Sequence, residues 1–119
     1  NFEKTGLCML TLYNLDYCKK ILLLLPYQSH PTQFHKIKKE TFFVIFGKIE
    51  IFLDGKKNVI KQGEMITILP NQTHLFRDIS GSGSVIEELS TQSFKEDSYY
   101  LDESITKNKN RKSFISLIN

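Results

Sequence analysis

The sequence predicts an all-β fold, a sandwich or barrel, on three observations. Short apolar runs recur along the chain at regular spacing, separated by turn residues. β-branched and aromatic residues dominate many of these runs. No segment keeps a 3.6-residue apolar period between helix caps, so helices are few. The chain has 119 residues and is 40% hydrophobic, which suits one domain with a packed core and leaves no room for two full-sized cores. Separate cofactor and substrate domains are excluded for this chain alone, and so is global disorder.

In chain order the expected strands are Cys8–Tyr13, Lys20–Leu25, Thr32–His35, Thr41–Phe46, Lys48–Leu53, Asn58–Lys61, Met65–Leu69, Thr73–Arg77, Val85–Ser90 and Lys112–Leu117. Asp54-Gly55 lies between two runs and reads as a tight hairpin turn. Gly47 separates Phe46 from Lys48 and marks a bend or bulge. Gly81-Ser82-Gly83-Ser84 reads as a flexible loop, and Ser98–Ile105 as room for a turn of helix. Phe42, Phe43, Val44, Ile45 and Phe46 form an unbroken apolar run, where a one-sided strand would alternate. Both faces of that strand are expected to be covered, the outer one by another sheet or subunit. We expect a homodimer packed sheet on sheet.

Charge and the chain ends narrow the function classes. Sixteen Lys and Arg against 13 Asp and Glu give +3, too little to argue for nucleic acid. Lys107–Lys112 carries four positive charges in six positions without interleaved aromatics, so it reads as a solvated loop. No signal peptide is visible, and the apolar run Ile21 to Pro26 is far too short to span a bilayer. Two cysteines, Cys8 and Cys18, are too few for a disulfide framework and are expected as reduced thiols. Together these point to a cytoplasmic protein without a membrane or nucleic-acid partner. The chain opens on Asn1 rather than Met, so a module of a longer protein or a processed form is expected.

Only three histidines are present, which concentrates any metal or acid–base chemistry on few residues. Gln33 and His35 are two apart and share a strand face. Four residues separate His35 from Glu40, six separate Glu40 from Gly47, and His74 lies eleven positions after Gly63. This ladder resembles the two-part cupin signature, G-x5-H-x-H-x(3,4)-E-x6-G followed by G-x5-P-x-G-x2-H-x3-N. His35, Glu40, Gly47, Gly63 and His74 stand on matching positions. Gln33 replaces the first His, Tyr27 the first Gly, Leu69 the Pro, Asn71 the loop Gly and Asp78 the final Asn. Asn tolerates φ > 0, so its replacement is mild.

The resemblance implies a double-stranded β-helix barrel holding one divalent transition metal (Zn, Mn, Fe or Ni) on Gln33, His35, Glu40 and His74. Phosphomannose isomerases, also cupins, use Gln, His, Glu and His as zinc ligands, which this set resembles. The alternative is a degenerate site in which Gln33 merely hydrogen-bonds its neighbours. His30 lies an odd number of residues before His35 and is expected at the rim, although Pro31 loosens strand parity. Turned inward, it would replace the missing His.

Longer stretches extend the likeness. Leu25-Pro26-Tyr27-Gln28-Ser29-His30-Pro31, Phe34-His35-Lys36, Glu40-Thr41-Phe42, Ile86-Glu87-Glu88-Leu89-Ser90 and Asp97-Ser98-Tyr99-Tyr100 together resemble the C-terminal cupin domain of some sialic acid synthases. That domain is related to the cupin D-lyxose isomerases. One domain over 1–119 is expected: an N-terminal strand region 1–19, a barrel 20–90 and a C-terminal extension 91–119. The expected role is a metal-binding sugar-recognition module, with fusion to a synthase catalytic domain in its parent protein as what the resemblance implies. The alternatives are a stand-alone metal-dependent sugar isomerase or epimerase, and an iron-dependent oxygenase.

For isomerisation a base is needed beside the metal. Glu87 and Glu88 alternate faces of one strand, so one is expected to point inward, where burial raises its pKa. Tyr99, Tyr100, Lys36 and His30 are the expected substrate contacts. Lys38 and Lys39 are expected on a solvated edge, with a contact to a sugar phosphate or carboxylate as the alternative.

Overall fold

The computed structural model describes residues 4–100 and 113–116. Two sheets face one another. One has the strand order β11-β1-β2-β9-β4-β7, the other β10-β3-β8-β5-β6. The strands of the first are β1 (Cys8–Asn14), β2 (Tyr17–Leu24), β4 (Glu40–Phe46), β7 (Met65–Ile68), β9 (Ser84–Thr91) and β11 (Ser113–Ser116). Those of the second are β3 (Gln33–Phe34), β5 (Lys48–Leu53), β6 (Lys56–Lys61), β8 (His74–Asp78) and β10 (Tyr99–Tyr100). All pairings between these strands are antiparallel except the parallel contact of β1 with β11. The all-β expectation and most strand positions hold. Ser98–Ile105 differs in part: a 3-10 turn covers Lys95–Asp97, and Tyr99–Tyr100 pair as a strand with β3. The rest of that segment, and Lys107–Lys112, lie outside the described residues.

Period-two alternation aims one side of each long strand into the barrel. Cys18, Lys20, Leu22 and Leu24 of β2 are buried, as are Ser84, Ile86, Glu88 and Ser90 of β9. Leu22, Phe42, Val44, Ile49, Ile51, Ile68, Phe76 and Ile86, each 0–1% exposed, make the apolar centre. Phe42 meets Phe76 edge to face at 5.1 Å. Polar inward residues gather at Lys20, Gln33, His35, Lys38, Glu40, His74 and Glu88.

The turns explain how the sequence departs from the cupin glycines without losing the path of the chain. Tyr27 and Asn71, which stand where the signature has glycine, adopt φ of +58° and +68°. Gly47 has φ +92° at the β4–β5 bend, where a side chain would strike Ser84 Oγ and come within 2.7 Å of the Gly83 carbonyl. Asp54-Gly55 makes the expected hairpin turn between β5 and β6, with both φ positive.

The Gly81–Ser84 segment is not the loose loop that its composition suggests. The Asp78 carboxylate gathers it, accepting from the Ser80 and Gly81 amides and from the Ser80 and Ser84 hydroxyls at 2.6–3.2 Å. The outer face of β4 also differs from expectation. Phe43 is half-buried, while Ile45 and Phe46 are exposed, so no second layer of the described residues covers them.

Candidate metal centre

His35 follows β3, Glu40 opens β4 and His74 opens β8, so three separate elements bring their side chains to one point. Their ligand atoms all lie within 4.8 Å of one another. Glu40 stands between the rings, with Oε2 3.4 Å from His35 Nε2 and Oε1 3.7 Å from His74 Nε2. The rings themselves are 5.3 Å apart.

The outer ring nitrogens decide the chemistry. His35 Nδ1 lies 2.9 Å from the Asp97 carbonyl and His74 Nδ1 lies 3.3 Å from the Gln72 carbonyl. A carbonyl only accepts, so each Nδ1 carries the proton and each Nε2 presents a lone pair. Both lone pairs face carboxylate oxygens, acceptor against acceptor, at buried positions. A cation between them removes that repulsion. Burial, helped by the Lys38 ammonium and by His74, holds the His35 imidazole far below its ordinary pKa and therefore neutral, as a ligand must be.

Gln33 neighbours His74 in register across β3 and β8. Its Oε1, like His35 Nε2, is buried without completing a hydrogen bond. Its amide nitrogen lies 3.2 and 3.4 Å from the ring nitrogens of His30. His30 Nδ1 donates to the Pro31 carbonyl at 3.0 Å, which leaves Nε2 to accept from Gln33. Gln33 Oε1 is thereby turned away from His30. The donors fit a divalent transition metal: two imidazoles, one carboxylate and one amide oxygen, with backbone carbonyls fixing the rings from behind.

Lys38 lies inside the barrel, not on the solvated edge expected for it. Its Nζ is 3.1 Å from Glu40 Oε2 and 3.0 Å from Glu88 Oε2. The two carboxylates raise the Lys38 pKa against the opposing effect of burial. Burial pushes Glu88 up, but Lys38 and Lys20 more than reverse this and hold it below the usual carboxylate range. That corrects the expectation of a raised pKa for the inward glutamate. Burial raises Glu40 instead, with Lys38 opposing and Glu88 adding to the rise. The backbone holding Lys38 is clamped by Asp97, whose carboxylate accepts from the Lys36, Ile37 and Lys38 amides at 2.9–3.2 Å. Asp97 thus holds both His35 and Lys38. Sequence reading missed Lys38 and Asp97. Lys38 sits two residues before Glu40, and that shared strand parity was the available signal.

The remaining candidates separate. Glu88 faces the cavity, while Glu87 faces outward and pairs with Lys19 at 3.2 Å. His30 is 2% exposed, not a rim residue. It stacks on Phe76 at 5.0 Å, wedged in by the chain at Pro31, and serves Gln33 from the side. Tyr100 is buried with its ring 6.0 Å from His30. Tyr99 stacks on Phe34 at 5.2 Å and takes Lys36 Nζ over its face at 4.6 Å, and neither Tyr99 nor Lys36 lines the cavity. Strand alternation sends Tyr99 to the face opposite Tyr100.

A family model described as a cupin domain matches residues 21–86, more than half of the chain. The chain is a cupin. This cupin is 29% identical over 130 residues to the D-lyxose/D-mannose isomerase of Thermosediminibacter oceani, covering 86% of this chain and 71% of the relative. It is 28% identical to the D-lyxose ketol-isomerase of Cohnella laeviribosi, with the same coverage. Among solved structures, the L-ribose isomerase of Cellulomonas parahominis superposes with a TM-score of 0.74 at 16% identity. That match covers 82% of this cupin and 63% of the isomerase chain, less than two thirds of its length. No helix among the described residues is long and apolar enough to cross a membrane.

Proposed function

We propose that this cupin is a metal-dependent sugar isomerase that interconverts an aldose and its ketose. The observation that carries the reading is the buried meeting of His35, Glu40 and His74 acceptor atoms beside the Lys38–Glu88 ion pair. The relatives named above carry isomerase names, so the stand-alone isomerase is better supported than the synthase module. His35, Glu40, His74 and Gln33 Oε1 would hold the ion. When bound, it supplies a Lewis acid for the carbonyl oxygen and adjacent hydroxyl of an open-chain sugar.

The rest of the work falls to the chain. Glu88, kept ionised by Lys38, is the base that takes the proton from the hydroxyl-bearing carbon and returns it to the former carbonyl carbon, while the hydroxyl proton passes to the former carbonyl oxygen. Lys38 Nζ holds Glu88 in place and offers an N–H to a sugar oxygen gaining charge. The apolar walls Leu22, Phe42 and Phe76 limit water at the reacting carbons.

Metal analysis of tag-free protein is the first test. One equivalent of Zn, Mn, Fe or Ni, lost in His74→Ala, supports the reading. No metal after supplementation overturns it. NMR of D-lyxose and D-mannose should then show the ketose growing in, with Glu88→Gln slowed at least 100-fold, the scale of a lost general base.

We further propose a homodimer through the outer face of the β2–β9–β4 sheet. Leu23, Phe46, Leu89 and Met65 are each 45–62% exposed there, around the Lys19–Glu87 pair. A two-fold axis through that pair sets each Lys19 against the partner's opposite charge.

A further inference from the structure

Lys20 enters the chemistry above only through its charge on Glu88, yet it is 93% withdrawn from solvent and lines the same cavity. It sits on β2 directly across from Glu88 on β9. Its Nζ donates to Ser93 Oγ at 3.0 Å, and no carboxylate of the described residues lies within 4 Å of it. Glu88 and Glu40 balance its charge at longer range, but its one hydrogen bond among the described residues goes to a neutral hydroxyl. The mount around it is nonetheless well made. Asn14 grips Ser93 twice, accepting from its amide and donating to its carbonyl, each at 2.9 Å. The Ser93 hydroxyl, accepting from Lys20, keeps its own proton for a second contact.

Charge counting points the same way. The buried groups around the cavity are Lys20, Lys38, Glu40 and Glu88, two of each sign. A divalent cation on Gln33, His35, Glu40 and His74 leaves the cavity with two positive charges in excess.

We propose that Lys20 and Ser93 bind a carboxylate at the end of the sugar remote from the metal centre, so that the substrates are acidic sugars of the uronate class. The inference rests on the sugar-isomerase reading for its substrate frame. One ammonium and one hydroxyl match the two oxygens of a carboxylate, which takes up one of the two excess charges.

Calorimetric titration of the Mn2+-supplemented protein with D-mannose, D-mannuronate and D-mannose 6-phosphate tests this. The three sugars are identical at the carbons that react and differ only at the far end. D-Mannuronate should bind at least tenfold tighter than D-mannose and tighter than the phosphate. Lys20→Met, which keeps the unbranched stem and removes the ammonium, should bring the ratio of uronate to mannose below about twofold, and Ser93→Ala should lower it partway. Equal binding of mannose and mannuronate by the unaltered protein, no binding of either, tighter binding of the phosphate, or an unchanged ratio in a folded Lys20→Met protein overturns the proposal. The unaltered protein alone decides the first three, so misfolding of a variant cannot hide the answer. Isomerisation of D-mannose without a uronate preference would sink this proposal and leave the isomerase standing. Lys20-dependent uronate binding without isomerisation of either sugar would do the reverse.

Discussion

Asp78 is fully buried and accepts hydrogen bonds from Tyr27, Ser80, Gly81, Gly83 and Ser84, tying β8 to the turns on either side of it. Burial pushes its pKa up, but the Ser80 and Ser84 hydroxyls and the amides outweigh this and bring it down to about 2. The folded value therefore lies below the roughly 3.9 of an unfolded aspartate. Its stabilisation is complete above that unfolded value and is lost as pH falls through the folded value, between about 4 and 2. Asp78→Ala should cost on the order of 3 kcal/mol in urea melts at pH 7, because several inward donors lose their acceptor. Asp78→Asn should flatten the acid limb of the stability profile. At the metal centre, His30→Ala should weaken metal retention about tenfold in a chelator competition, because Gln33 loses the contact that aims its oxygen. Unchanged retention would mean that His30 only fills space against Phe76.

Among the elements, the segment after β9 decides most about the site. Ser93 is gripped by Asn14 at one end, and Asp97 clamps the Lys36–Lys38 amides at the other. Asp97→Ala should release the Lys36–Lys38 backbone and with it Lys38, while the Asp97 carbonyl that holds His35 stays. We expect kcat on D-lyxose to fall at least tenfold with a smaller change in KM, while the barrel still melts cooperatively. A melting temperature that falls along with activity would assign Asp97 to stability alone. The β4–β5 bend gives a contrasting case. Gly47→Ala meets Ser84 and the Gly83 carbonyl at positive φ, and should destabilise by about 2 kcal/mol or more in thermal melts without touching the site residues directly.

At the scale of the molecule, one sheet has an apolar outer face with no cover among the described residues. The homodimer reading predicts a two-fold larger mass in sedimentation equilibrium, and a monomer on Leu89→Glu at the middle of that face. A monomeric unaltered protein would leave the exposed Leu23, Phe46 and Met65 to another partner. The cavity lies on the opposite side of the same strands, so a monomeric Leu89→Glu protein should keep its metal.

Strand positions, the Asp54-Gly55 turn and the cupin fold were legible in the sequence because apolar alternation and turn chemistry are local properties. The meeting of His35, Glu40 and His74 was legible too, because strand length and turn length set their spacing. Glu88 as the inward member of its pair followed from alternation only once its neighbours in the sheet were known. Lys38 read as a solvated charge, and no role was read for Lys20 or Asp97, since nothing local distinguishes a buried charge from a solvated one. His30 was misread for a related reason, because Pro31 breaks the strand that parity assumes. The sequence by itself determined the all-β cupin barrel and which residue types stand at the signature positions. Only the tertiary structure decided which charges face one another inside it, because burial and ion pairing are set by strands far apart in the chain.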